Sequence, residues 1–542
     1  MARSIISGLV IILSLTLLAP LWGQGAVREE GDVVIIQNTV NTLRLSKTGP
    51  GAILSFQDRQ SGREYLADNS DTPLFRLVFT RAGDQSGDTV TLGSNDAARM
   101  TVTVLPQDGG QDAVELHYSG FADWPQLEVH CRIAVQAGDA LLRWRLRVSG
   151  APTLVLEESQ YPLLLLKDRL GDSRADDMAL AGATEGGAFM APGDWKQGFQ
   201  RRYTQPGSLA AQFASFHDPA GGVFTATQDA VGYHKAMTIA RQNCGVEYSW
   251  SHQCFHPLTA PYELPYDVVC TTFRSGDPAR PCDWRDAADI HKRWAVTQPW
   301  CAQTVAARQD IPDWIKRGCI RVQWELRSDG EPDAVCDWLD NKWSKHFPNL
   351  PPFMTFLGYE RIASWVAPKY TPFYPSDEAF TAMTRRIADM GGHVCLFPST
   401  YQWTLTLRPK PDGSCDWDDR KDFAAIGEKH AIKDRQGNVM LKKPSWLYGG
   451  QTAALCRGDA WTREFFRAAV DDMAARGVDV VQLDQVVGGA WPSDGRTACF
   501  SPDHGHAPGF GRWDVDAFHE QMALLRARAN AKYPRMVFSM ES

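Results

Sequence analysis

Between about residues 30 and 275 the chain alternates apolar and polar positions in short runs broken by Gly, Asp and Asn. "LLRWRLRVSG" (141–150) shows the pattern best. Leu142, Trp144, Leu146 and Val148 fall on one face, and Arg143, Arg145 and Arg147 on the other. A period of two is that of a strand with one buried and one wet face. "TVTVLPQDGGQDAVELHYSG" (101–120) reads as two strands turning at Asp108-Gly109-Gly110. Runs of this kind recur along the whole stretch and predict a large β-sandwich.

The pattern then changes. "CDWRDAADIHKRWAVTQPW" (282–300) predicts a linker helix, with Ala288, Ile290 and Trp294 among its apolar positions. Beyond it, short apolar runs alternate with stretches of helical period. The predicted strands are 319–326, 352–360, 393–399, 479–486 and 535–542. Three helices are signalled between them. Ser376 caps one with Phe380, Met383, Ile387 and Met390 inward, ending at Gly391. Asp459 caps a second, with Phe466, Val470 and Met473 inward, ending at Gly477. The third runs over 513–532 with Val515, Phe518, Met522 and Leu525 on one stripe. Strand–helix alternation of this length predicts a parallel sheet, either closed as a barrel or open and doubly wound. No Gly-rich phosphate-binding pattern follows any strand, which weighs against nucleotide binding.

The expected architecture is multidomain. An N-terminal β-supersandwich (26–280) is followed by a linker helix and connection (281–318), then a (β/α)8 TIM-type barrel (319–542). Only five barrel strands are counted before the sequence ends inside the fifth, so the barrel is expected to be incomplete and the chain a piece of a longer protein.

Composition adds three constraints. With 44% hydrophobic and 22% charged residues and a net charge of −8, the chain has no basic tract to hold a nucleic acid. Residues 1–25 carry Arg3, an apolar core at 5–22 and small residues in "GQGA", as a secretory signal does. The mature protein is then secreted or periplasmic, free of the membrane; an uncleaved signal anchor is the alternative. The twelve Cys form no CxxC pair. Cys244, Cys254, Cys270, Cys282 and Cys301 are close enough in sequence for one or two disulfides.

Chemistry concentrates at the ends of the last two strands. Side chains alternate along a strand, so Val480, Gln482 and Asp484 share one face, and Val481, Leu483 and Gln485 the other. Val537, Ser539 and Glu541 share a face in the same way, opposite Phe538 and Met540. In a barrel the apolar set packs on the helices and the polar set points inward toward the catalytic, C-terminal end. Asp484 and Glu541 are thus candidate catalytic carboxylates on neighbouring strands, which lie about 4.8 Å apart. Retaining glycosidases hold their two carboxyls about 5–5.5 Å apart, one as nucleophile and one as acid/base. Candidate substrate-binding groups are Glu325, Tyr359, Glu360, Gln482, Gln485, His504 and His506. Trp365 and Trp403 join them as platforms for a sugar face. His504 and His506 sit in the Gly-rich stretch 487–513. With Asp484 they offer a metal-dependent hydrolase as an alternative, but no third and fourth ligand stands at a recognised spacing. No metal or cofactor is expected, and the partner is a carbohydrate. A non-catalytic carbohydrate-binding scaffold is the other alternative.

The stretches "NTVNTLRLSKTGPGAILSFQDRQSGREYL" and "QFASFHDPAGGVFTATQDAVGYHK" resemble the galactose-mutarotase-like supersandwich that precedes many sugar-cleaving barrels. "PFYPSDEAF", "GVDVVQLDQVVGG" and "DHGHAPGFGRW" resemble the glycoside-hydrolase-like domain-of-unknown-function family 6259, and more distantly the endo-α-N-acetylgalactosaminidases. The resemblance covers about residues 30–542. It implies a retaining glycosidase acting on an α-linked sugar, with the nucleophilic Asp ending the fourth barrel strand and the acid/base Glu ending the fifth. The matching positions are Asp484 and Glu541.

Overall fold

The computed structural model describes residues 26–49, 53–68, 72–108, 110–136, 138–183, 186–484 and 498–540. The N-terminal leader, Gln485 and Glu541 lie outside the described residues.

Among the described residues, the N-terminal half is built of three antiparallel sheets of four, ten and six strands. Leu142–Ser149 lies within the ten-stranded sheet, and its alternation is as read: Leu142, Trp144, Leu146 and Val148 are buried, while Arg145 and Arg147 are exposed. The predicted hairpin joins Ala97–Asp108 to Gln111–Phe121, with Asp108 opposite Gln111. The large sheets meet through aromatic side chains. Trp144 packs edge-to-face on Tyr161 of the six-stranded sheet at 6.0 Å, and Phe216 stacks on Tyr248 at 6.0 Å. Each such buried side chain stabilises the sandwich by roughly 1.5–3 kcal/mol. The disulfides expected among Cys244, Cys254, Cys270, Cys282 and Cys301 do not form, because all twelve cysteines are free thiols. Neighbours in sequence are here separated in space: Cys254 is on the six-stranded sheet, Cys270 is on the ten-stranded sheet, and Cys244 and Cys301 are exposed.

Trp284–Ala295 is the linker helix, capped by Asp283, whose side chain accepts from the Arg285 N–H at 2.8 Å. The five strands predicted beyond it all form: Arg321–Glu325, Phe353–Leu357, His393–Leu396, Val480–Leu483 and Val537–Met540. They make one parallel sheet in chain order. Its two faces separate as alternation requires. Met354, Phe356, Val394, Leu396, Val481 and Leu483 enter an apolar core with the helices, joined by the partly buried Val322, Trp324 and Phe538. The opposite face carries Gln323 and Glu325, Thr355, Cys395, Val480 and Gln482, and Ser539.

Helices Asp377–Asp389 and Ala460–Ala475 are capped by the Ser376 and Asp459 side chains, as their sequences predict. Their inward residues Phe380, Met383, Ile387, Phe466, Val470 and Met473 are buried. The third helix, Arg512–Lys532, is turned from the expected orientation. Its buried stripe is Asp514, Ala517, Gln521, Leu525 and Ala529, and Val515, Phe518 and Met522 are only half-buried. The cause is Asp514, a polar residue that pattern reading sends to solvent. It is buried between Arg457 Nε at 3.0 Å and His234 Nε2 at 2.8 Å, tying this helix to the sandwich.

Between the third parallel strand and helix Ala460–Ala475 lies a small antiparallel sheet that the sequence pattern did not announce. Its strands are Gln402–Pro409, Cys415–Asp418, Leu441–Lys442 and Gln451–Ala454. The first is buried on both faces from Gln402 to Leu407, so it shows no alternation. Among the described residues no helix is long and apolar enough to cross a membrane.

Candidate active site

The C-terminal ends of the second, third and fourth parallel strands converge on a group of buried polar side chains. Asp484, directly after the fourth strand, is 5% exposed. Its backbone N–H donates to the Pro398 carbonyl at 3.1 Å, and it bridges in parallel to Ser399. The strand ladder therefore extends to Asp484 and holds its backbone. On the same face, Gln482 is in register with Ser539 of the fifth strand.

Glu360 follows the second strand and is 2% exposed. The turn that delivers it needs a glycine. Gly358 has φ +67°, and a Cβ there would fall 2.6 Å from the Leu326 carbonyl. Burial raises the Glu360 carboxyl to about 8, so it is protonated at neutral pH. Its Oε2 has no hydrogen-bond partner among the described residues, and neither does the neighbouring Tyr359 hydroxyl. Tyr370 donates its O–H to the Ser399 carbonyl at 2.7 Å. The hydroxyls of Tyr359 and Tyr370 are both pushed well up, first by burial and then by the carboxyls of Glu360 and Asp484. A neutral acid and a second carboxyl thus share one low-dielectric site, the arrangement from which acid and nucleophile roles can diverge.

The other predicted residues divide. Trp365 is half-buried with its ring edge-on to Phe397 at 5.9 Å, beside the end of the third strand. Glu325 lies at the outer end of the first strand and accepts from Arg327 Nε at 2.8 Å. Trp403 is not a sugar platform. It is 0% exposed, stacks on Phe465 at 5.7 Å and donates its Nε1–H to Asp419 at 2.7 Å, in the core of the inserted sheet.

His504 and His506 also have other partners than expected. His504 Nδ1 lies 3.3 Å from Cys499 Sγ, and His506 Nε2 lies 3.2 Å from Cys456 Sγ. The donor atoms of all four residues are within 4.8 Å of one another, and Asp484 is not part of the group. Two cysteines, which spacing did not point to, complete a four-donor group with the two histidines. Cys499 was within reach of a sequence reading, five residues before His504. Cys456 is brought in by the inserted sheet, which no local pattern announces.

Against known proteins, the chain is 22% identical over 423 residues to a Bacteroides thetaiotaomicron protein described as "Putative glycoside hydrolase". The match covers 73% of this chain and 53% of that protein, so the chain spans about half the length of the curated relative. Among solved structures it is similar to the alpha-N-acetylgalactosaminidase NagBb from Bifidobacterium bifidum. The GalNAc complex gives a TM-score of 0.62 at 12% identity, covering 95% of this chain and 77% of that one. The Gal-NHAc-DNJ complex gives 0.64 at 12% identity, covering 95% and 76%. At this identity the likeness is one of fold. Residues 262–542, just over half the sequence, match the family described as Domain of unknown function (DUF6259), and the chain belongs to that family.

Proposed function

We propose that the protein is a retaining glycosidase acting on an α-linked glycoside. In this reading the five parallel strands are the first five of a (β/α)8 barrel, and residues 26–280 are a galactose-mutarotase-like sandwich in front of it. Asp484 attacks the anomeric carbon. Glu541 protonates the leaving oxygen and then activates the water that releases the sugar. Trp365 stacks on the sugar ring, and Gln482 and Gln485 bind its hydroxyls. Glu360, neutral when buried, donates a hydrogen bond near the nucleophile. Export follows from the leader segment.

One observation carries most of the weight: the parallel ladder holds Asp484 buried at the C-terminal end of the fourth strand, on the face away from the helices. Barrel enzymes assemble their chemistry at that end. Glu541 lies two residues beyond Ser539, which is in register with Gln482. The alpha-N-acetylgalactosaminidase fold and the relative described as a glycoside hydrolase support the substrate class.

The test is turnover of aryl α-glycosides by the protein and two variants. Asp484→Asn is expected to abolish turnover. Glu541→Gln is expected to lower it about 100- to 10,000-fold on substrates with poor leaving groups, and less on activated ones. Full turnover in both variants would refute the assignment.

A further inference from the structure

We propose that Cys456, Cys499, His504 and His506 bind one zinc ion, forming a structural site that pins the inserted sheet to the chain leading into helix Arg512–Lys532. Zinc takes thiolate sulfur at about 2.3 Å and imidazole nitrogen at about 2.0–2.1 Å in a tetrahedron, which puts sulfur and nitrogen donors about 3.5 Å apart. The two S···N separations here are 3.2 and 3.3 Å, and all four donors lie within 4.8 Å of one another. Donors from four residues this close already surround a single point.

The histidine tautomers are set for a metal. His504 Nε2–H donates to the Lys429 carbonyl at 2.9 Å, and His506 Nδ1–H donates to the Ala507 carbonyl at 2.8 Å. A carbonyl oxygen only accepts, so each of these nitrogens carries the proton. Each remaining nitrogen, Nδ1 of His504 and Nε2 of His506, turns its lone pair toward the sulfurs. Orientation of a ligand imidazole by a hydrogen bond to its other nitrogen is the usual support of a zinc site. A disulfide between Cys456 and Cys499 would consume both sulfurs and leave two imidazole lone pairs facing each other without a donor. One of them is on His504, which is 3% exposed, and a buried acceptor left without a donor is destabilising. Zinc satisfies all four donors, and both thiols give up their protons on binding.

The surroundings suit a closed site. Ile432, Ala454, Met440 and Trp513 pack around the two cysteines. The Trp513 ring stacks on His506 at 3.6 Å. Gly458 leaves room for that stack, since a Cβ there would fall 2.5 Å from His506 Cδ2. Four protein ligands complete a tetrahedron and leave no position for water or substrate, so the ion's role is to hold the fold. Cys456 follows the last strand of the inserted sheet and precedes helix Ala460–Ala475. Cys499, His504 and His506 precede helix Arg512–Lys532. One ion therefore joins segments more than 40 residues apart in sequence.

The experiment is elemental analysis of the untagged protein, purified without chelator, together with Cys456→Ser, His504→Ala and the control Cys415→Ser. The expected result is one zinc per chain in the wild type and the control, with at least about a fivefold drop in each ligand variant. Should the ligand variants fail to fold, zinc in the wild type is exchanged for cobalt. A tetrahedral two-thiolate site then shows thiolate-to-cobalt charge-transfer bands and intense visible d–d bands. Wild-type protein free of zinc, a Cys456–Cys499 disulfide in non-reducing peptide mapping, or an octahedral cobalt spectrum would each overturn the proposal.

Discussion

Glu360 shows how one buried group can control behaviour across a pH range. Its folded-state value near 8 lies above the ordinary 4.5, and burial is the cause. Below about pH 4.5 the carboxyl is protonated in both folded and unfolded chains, and its effect on stability is constant. Between 4.5 and 8 the unfolded chain ionises while the folded one stays neutral, so stability falls as pH rises, by about 1.4 kcal/mol per pH unit from this group alone. Above 8 the loss levels off. Glu360→Gln keeps the shape and removes the titration. Melting temperatures measured from pH 5 to 8 are therefore expected to fall less steeply in Glu360→Gln than in the wild type. Equal slopes would show that Glu360 is not held neutral. From the sequence, Glu360 was legible only as an acid near a strand end. Its burial follows from the turn at Gly358 and the packing of the surrounding loops, and no spacing rule describes that.

At the level of elements, all five parallel strands and the two capped helices were legible, because alternation and caps are local signals. What failed was local in the opposite sense. The strand Gln402–Pro409 is buried on both faces, so it reads neither as an alternating strand nor as a helix. Trp403 was placed with the sugar-binding residues because an isolated Trp near a strand end looks the same whether it faces substrate or core. The structure separates the two tryptophans, and the separation is testable. Trp403→Ala removes a fully buried ring and its hydrogen bond to Asp419 and is expected to cost about 3–5 kcal/mol, read as a lowered denaturation midpoint. Trp365→Ala, at a half-buried ring, is expected to leave the midpoint nearly unchanged and to raise KM for a glycoside. The reverse pattern would return Trp403 to the binding site.

At the scale of the whole molecule, the sandwich and the parallel sheet are joined by charge as well as by chain. Asp514 is hydrogen-bonded to His234 of the sandwich and forms an ion pair with Arg457 of the segment after the inserted sheet. The four-residue Cys/His cluster likewise joins the segment after the inserted sheet, through Cys456, to the chain just before helix Arg512–Lys532, through Cys499, His504 and His506. Both features hold the N-terminal end of that helix, Asp514 within its first turn and Cys499, His504 and His506 just before it. Neither was legible in sequence, because each assembles residues from distant segments: His234 with Asp514, and Cys456 with Cys499. The two-face pattern of the fourth strand was legible, and it leads to the central claim that Asp484 is a nucleophile. The most direct measurement is peptide mass spectrometry after incubation with an activated fluoro-sugar α-glycoside, which accumulates a glycosyl-enzyme. One sugar adduct per chain is expected, carried on Asp484 and absent in Asp484→Asn. An adduct on another carboxylate, or hydrolysis of the natural linkage with inverted anomeric configuration and no adduct, would contradict it.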